Sequence, residues 1–289
     1  MTRARVTRAE VTGAGMTERW TPESPEARAA GRLPPPASVL ALAGGEAVRS
    51  VWDNAVGGRT FELGAGERRR FVKWAPPGSG LDLAAEAARL AWAVAFTPVP
   101  RVLGQGSDAA GTWIITSPLA GTMAVTARWR AEPRTAVTAI GEGLRAMHEA
   151  LPAGRCPFSW SARGRLDDAR RRVALGQVDP ADWHEDFRGL DVAGALDLLA
   201  EVPPADELVV CHGDSCAPNT LIGDGGRWSG HVDLGDLGVA DRWADLAVAT
   251  WSTTWNYGPG WEIPLLDAYG VEPDAERTRY YRLLWELGP

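Results

Sequence analysis

One stretch of this 289-residue chain constrains it more than any other: CHGDSCAPNTLIGDGGRWSGHVDLGDLGVADRWAD, from Cys211 to Asp245. It opens on a short apolar run and reaches Asp214 on a loop, where a carboxylate can face a cleft. Asn219 follows on the same loop. A hairpin turning at Asp224-Gly225-Gly226 then leads to Asp233. A hairpin returns its second strand to the start of its first, so Asp233 comes back beside Asn219.

Phosphoryl transfer needs such a set. The transferred group carries spread negative charge, which divalent cations must bridge. A carboxylate must orient or accept the proton of the attacking hydroxyl. Mg²⁺ takes hard oxygen ligands and few of them from the protein, because substrate phosphates complete its shell. The sequence therefore offers Asp214 as base, with Asn219 and Asp233 as metal ligands.

The first half supplies nucleotide-binding residues independently. SVWDN, RTFEL and RRFVKWAP read as three strands joined by Gly-containing turns. An Ala-rich segment of helical spacing, Asp82–Ala95, follows, and PRVLGQGSDAAGTWIITSPL reads as two more strands. Lys73 lies on the third strand between apolar neighbours and Glu86 lies on the helix. A strand lysine on the phosphates, oriented by a helix glutamate, is the pair this chemistry calls for. The loop Asp53–Thr60 would cover the phosphates, with Gly57 and Gly58 allowing close backbone approach. The second half reads as helices near 132–150, 165–176, 191–200, 241–254, 260–269 and 274–287 around a short strand and the hairpin.

HGDxxxxN with a following VDLG resembles the aminoglycoside phosphotransferase family, relatives of protein kinases, closest to the 3′/3″ type. His212-Gly213-Asp214, Asn219, Val232–Gly235 and Gly238–Thr250 carry the match, and it covers about residues 50–289. The resemblance implies an α+β, protein-kinase-like bilobal fold. A small β-rich N-lobe spans residues 37–118 and a larger, mainly α-helical C-lobe spans 119–289. Residues 1–36 read as a disordered extension, with Met16 an alternative start. It implies ATP, with GTP as the alternative, and Mg²⁺. Backbone groups of the connector, including Ser117 and Leu119, would meet the base. His212 is read as a loop organiser, and Asp241 as backbone anchor and cap of the next helix.

The family binds polycationic aminosugars with acidic residues. Here the insertion before the HGD loop offers Asp182, Glu185 and Asp186. The last helix offers Glu286, with Trp285 in place of a first acid, and the carboxylate of Pro289 ends the chain. Asp236 stands where many 3′-phosphotransferases carry arginine. Trp251 and Trp255 fill a neutral helix face, read either as core packing or as an aromatic wall for an uncommon ligand. The implied reaction is phosphorylation of an aminoglycoside hydroxyl, conferring antibiotic resistance. The alternatives are a viomycin/capreomycin-type peptide or another hydroxylated metabolite as acceptor. Of other classes, a silent nucleotide-binding module is disfavoured by the complete set Lys73, Asp214, Asn219 and Asp233. A hydrolase with Asp214 as nucleophile is disfavoured because no acyl-transfer constellation accompanies it.

Bulk properties narrow the partners. A net charge of −7 argues against nucleic acid and suits a cationic small molecule. Three cysteines without paired spacing predict free thiols. No apolar run approaches the ~18 residues of a membrane span, and the N-terminus lacks a secretory apolar core. The expectation is a cytoplasmic monomer or homodimer.

Overall fold

The structure, a computed structural model, describes residues 34–288 apart from Ala55. The N-terminal extension up to residue 33, with Met16, and the terminal carboxylate of Pro289 lie outside the described residues.

The small lobe is a five-stranded antiparallel sheet in the order β1-β2-β3-β5-β4. Its strands are β1 (Val48–Asp53), β2 (Arg59–Leu63), β3 (Arg70–Ala75), β4 (Val102–Asp108) and β5 (Gly111–Thr116). Alternation decides the faces. Phe61, Leu63, Val72 and Trp74 point inward and pack on Val39 and Ala43 of α1 (Ala37–Ala43). Between β3 and β4 lies α2 (Leu83–Ala93), whose first turn is capped by Asp82 Oδ1 accepting from Ala85 N at 2.9 Å. Leu83, Glu86, Ala87 and Leu90 share its buried face. The spacing that buries three apolar residues therefore turns one carboxylate inward with them.

The large lobe contains α3 (Ala127–Ala131), α4 (Pro133–Ala150), α5 (Ala162–Ala174), α6 (Val192–Ala200), α7 (Trp243–Tyr257), α8 (Glu262–Tyr269) and α9 (Ala275–Glu286). α7 is buried along most of its length, with α4, α8 and α9 packed on it. Gly141 lets α4 meet α8 closely, since a Cβ there would stand 2.5 Å from Leu265 O. Two small antiparallel sheets carry the loops. β7 (Leu208–Cys211) pairs with β10 (Gly238–Asp241). β6 (Thr122–Met123), β8 (Thr220–Ile222) and β9 (Trp228–His231) form the other.

A third apolar cluster joins the lobes. Leu83, Ala87 and Leu90 of α2 meet Met147, Val210, Leu234 and Leu237. The helix bearing Glu86 is thereby docked on the loop bearing Asp233.

The bilobal α+β fold is the one the sequence pointed to. Three short elements were not foreseen: β6, β10 and α3. Strands of two to four residues carry no periodicity to read, and β10 exists only because β7 offers it an edge.

Candidate active site

The register of β2, β3 and β5 places Lys73 opposite Thr60 and Ile114. Its ammonium reaches two carboxylates, Glu86 Oε2 at 2.8 Å and Asp233 Oδ1 at 2.5 Å. Burial works against the Lys73 charge, but Asp233 and Glu86 outweigh it and hold its pKa well above the ordinary lysine value. Glu86 is pushed up by burial and by sharing that one cation with Asp233.

Asp233 has φ 64, the only positive φ of a non-glycine residue among the described residues. Such backbone costs about 1 kcal/mol or more and persists only where surroundings impose it. Here Leu234, fully buried in the interlobe cluster, fixes the chain on one side. On the other, Val232 N donates to Asn219 O at 3.0 Å, and the Val232 carbonyl accepts from His212 Nε2 at 3.0 Å. The strained turn aims the Asp233 carboxylate back at Lys73.

The Asp214 loop is held from below. Asp245, on the first turn of α7 and fully buried, accepts from His212 N at 2.6 Å and from Gly213 N at 3.0 Å. The same carboxylate meets His148 Nε2 at 2.9 Å, and His148 Nδ1 meets Tyr269 Oη at 2.8 Å. Ser215 Oγ donates to Asp245 O, and Ala217 N donates to Ser252 Oγ. His212 Nδ1 accepts from Asp214 N at 3.3 Å, so its Nε2 carries the proton given to Val232 O. His212 is thus a loop organiser, fully buried.

Asn219 Nδ2 donates to Asp214 O at 2.9 Å, which leaves the amide oxygen as its ligand atom. Asp214 Oδ1 is buried without a hydrogen-bond partner. Burial and the Asp233 charge push the Asp214 carboxyl above the usual range, against His212, Cys216 and Asn219, which lower it. An unpaired carboxylate oxygen of raised basicity is what proton removal from a hydroxyl requires. Asn219 and Asp233 together offer hard oxygens beside it, and Asp233 is partly open to solvent. That donor set fits Mg²⁺.

The remaining nucleotide-side residues lie round this centre. Gly57 has φ 87, which favours glycine, and Gly58 N donates to Asn54 Oδ1 at 2.6 Å inside the β1–β2 turn. At Ser117 the N–H donates to Arg101 O, and the Oγ accepts from Arg101 N. Those groups close the β4–β5 edge, so only its carbonyl is left for a base. Leu119 abuts Gly230 of β9.

The acceptor side divides. Asp182 and the pair Glu185 and Asp186 sit on two successive 3₁₀ turns, the last two exposed. Glu286 Oε1 accepts from His184 N at 2.9 Å, and burial, with Asp186 adding to it, pushes its carboxyl up to about 7. Trp251 and Trp255 do not form an open aromatic wall, and Trp285 does not face the acceptor side. Trp251 is 2% exposed, packed against the His184, Phe187 and Trp255 rings and under the Arg282 guanidinium. Trp285 is 6% exposed in the same core. Both face the centre of the helical lobe, where large apolar side chains gain most from burial. Trp255, one turn beyond, keeps 39% exposure. Asp236 lies partly buried against the Asp214 loop.

Asp245 was missed in the sequence. Its neighbour in the motif, Asp241, caps α7 through Trp243 N at 3.0 Å and anchors the backbone at Asp206 N at 3.2 Å, as read from the sequence. A helical spacing that turns Asp245 toward the core was the available signal. His148 belongs to the same buried network.

A bilobal fold with a strand lysine, a helix glutamate and an Asp–Asn–Asp cleft defines a protein-kinase-like phosphotransferase. Residues 50–281 match the phosphotransferase enzyme family, and the chain belongs to that family. It is 39% identical over 226 residues to an aminoglycoside 3′-phosphotransferase of Streptomyces fradiae, covering 74% of this chain and 82% of that protein. A crystal structure of a type VIII aminoglycoside-3′-phosphotransferase superposes with a TM-score of 0.74 at 36% identity, covering 86% of this chain and 97% of that one. APH(3″)-Id from Streptomyces rimosus, in complex with ADP and streptomycin, gives 0.70 at 30% identity, covering 86% and 96%. Among the described residues, no helix is long and apolar enough to cross a membrane.

Proposed function

We propose that the chain transfers the γ-phosphoryl group of ATP to a 3′- or 3″-hydroxyl of an aminoglycoside, inactivating the antibiotic. The observation that carries this reading is the buried Asp214 carboxylate, whose Oδ1 has no hydrogen-bond partner, beside the Lys73–Asp233 contact. The aminoglycoside 3′-phosphotransferase relative and the streptomycin complex of APH(3″)-Id support the acceptor class.

In this reading Asp214 takes the proton of the acceptor hydroxyl. The freed oxygen bonds to the γ-phosphorus as the bond to the β-phosphate oxygen breaks, and ADP leaves. Lys73, oriented by Glu86, binds the α- and β-phosphates. Asn219 Oδ1 and the Asp233 carboxylate would hold Mg²⁺, which supplies charge neutralisation between the phosphates. The Gly57-Gly58 turn covers the phosphates, and Leu119 with the Ser117 carbonyl borders the base. Asp182, Glu185, Asp186 and Glu286 attract the cationic acceptor, with the open indole of Trp255 as a stacking surface.

A coupled ADP-release screen over aminoglycosides and tuberactinomycin peptides, with mass spectrometry of the products, tests this. One phosphoryl group on an aminoglycoside sustains it. Phosphorylated viomycin with unmodified aminoglycosides would replace the acceptor, and an added AMP would overturn the reaction type.

A further inference from the structure

Asp236 is fixed in place by its own backbone. A Cβ on Gly213 would stand 2.4 Å from Asp236 O and 2.5 Å from Asp236 Cβ. Gly213 also has φ 89, so both contact and conformation favour glycine there. Asp236 is therefore clamped to the residue preceding Asp214.

Its charge is supported from behind but not neutralised. Burial raises its pKa first, then Asp214 and Asp233 in that order, while Arg89 and Arg165 lower it. Neither arginine pairs with it. Arg89 Nε donates to Leu237 O at 2.9 Å, and its guanidinium lies over Phe158. Arg165 is 3% exposed, lies over the Trp160 ring at 4.7 Å, and none of its three guanidinium nitrogens has a hydrogen-bond partner. Two cations thus favour an ionised Asp236 without engaging it. Lys73 is occupied by Glu86 and Asp233. Among the described residues, the Asp214 side of the cleft holds two carboxylates and no cation in contact with Asp236.

We infer that Asp236 is a specificity-determining residue that receives an ammonium group on the carbon next to the acceptor hydroxyl. The preferred acceptor is then a vicinal amino alcohol. Adjacent amine and hydroxyl groups suit two carboxylates held this way, one on Asp214 and one on the residue packed against Gly213. Asp214 takes the hydroxyl proton, and Asp236 binds the amine by a charge-assisted hydrogen bond in a partly desolvated site. This rests on the phosphotransfer reading above and narrows its substrate.

Kanamycin B carries an amine beside its 3′-hydroxyl and kanamycin A carries a hydroxyl there, which makes them a matched pair of probes. In Asp236→Asn the preference for kanamycin B over kanamycin A, read as the ratio of kcat/KM values, should fall about tenfold, with partial recovery in Asp236→Glu. An unchanged ratio overturns the inference. So does an unchanged ratio with a raised Mg²⁺ requirement, which would make Asp236 a metal ligand. Calorimetric binding of both kanamycins without nucleotide reads the contact apart from turnover. If the wild type binds kanamycin B more tightly, and only while Asp236 is present, the inference stands even when no ADP is released. In that case the phosphotransfer reading alone fails. Equal affinities in the wild type overturn the inference.

Discussion

Lys73 of the small lobe and Asp233 of the large lobe, 160 residues apart in sequence, meet at 2.5 Å from Nζ to Oδ1. That contact bridges the two lobes at the place where a nucleotide's phosphates would lie. It depends on the interlobe apolar cluster, which fixes α2 against Leu234 and Leu237.

Removing the lysine charge should therefore act on nucleotide use before it acts on folding. Lys73→Met leaves Glu86 and Asp233 as neighbouring uncompensated carboxylates. We expect kcat/KM for ATP to fall about 100-fold or more, with the acceptor's affinity changed far less. Glu86→Gln should show the same pattern to a smaller degree. Steady-state kinetics with each substrate varied separately read the difference.

Asp214 should set the acid limb of the pH–rate profile. Its carboxyl is raised by burial and by Asp233, and the base works only when ionised. Activity is then lost as pH falls through a value above the usual carboxylate range. Asp214→Ala should lose about 10²–10⁴-fold in turnover while binding nucleotide normally. A kcat/KM profile and a nucleotide titration check both halves, and near-normal turnover would remove Asp214 from the base's role.

Asp245 should govern stability more than chemistry. Burial opposes its charge, yet His148, His212 and the loop N–H groups outweigh burial and bring its pKa below the ordinary value. A lowered carboxylate pKa gives stability that is present above the unfolded value, and it is lost as pH falls through the folded one. Asp245→Ala strands the donors of His212, Gly213 and His148. We expect a loss of about 3–5 kcal/mol, read by denaturant unfolding.

His231 should make the protein acid-sensitive. It is 1% exposed, lies between the His212 and Trp228 rings, and both its ring nitrogens lack partners. Burial, with His212 and His148 adding to it, drives its pKa well below the ordinary histidine value, against Asp245. The unfolded chain therefore takes up a proton near the ordinary value while the folded chain does not. Stability falls as pH drops below that value, down to the lowered one. His231→Phe should flatten this part of the curve, because Phe brings no group to protonate. Melting temperatures from pH 7.5 to 5 test it.

Much of the site was legible in the sequence because its residues are close together or lie in regular elements. Asp214, Asn219 and Asp233 sit on one loop and one hairpin. Lys73 and Glu86 stand out within a strand and a helix of clear periodicity. The structure brings Lys73, Glu86 and Asp233 into one cluster with Asp214 and Asn219 at its edge. What was not legible was burial. Trp251 and Trp255 look alike in sequence, four residues apart on one helix, yet one is core and the other keeps an open face. The difference comes from what packs on α7: His184, Phe187 and Arg282 cover Trp251.

By itself the sequence determined which functional groups are available for the proposed chemistry. A base, two metal ligands and a phosphate-binding cation require particular functional groups at particular spacings, and spacing survives in a string of letters. Tertiary structure alone decided which charges are answered. That Asp245 holds the Asp214 loop, and whether Asp236 finds a partner, depends on where remote segments place their N–H groups and cations. Desolvation and Coulomb interaction act through space, so their outcome at Asp214 and Asp236 exists only once the helices and the two lobes have packed.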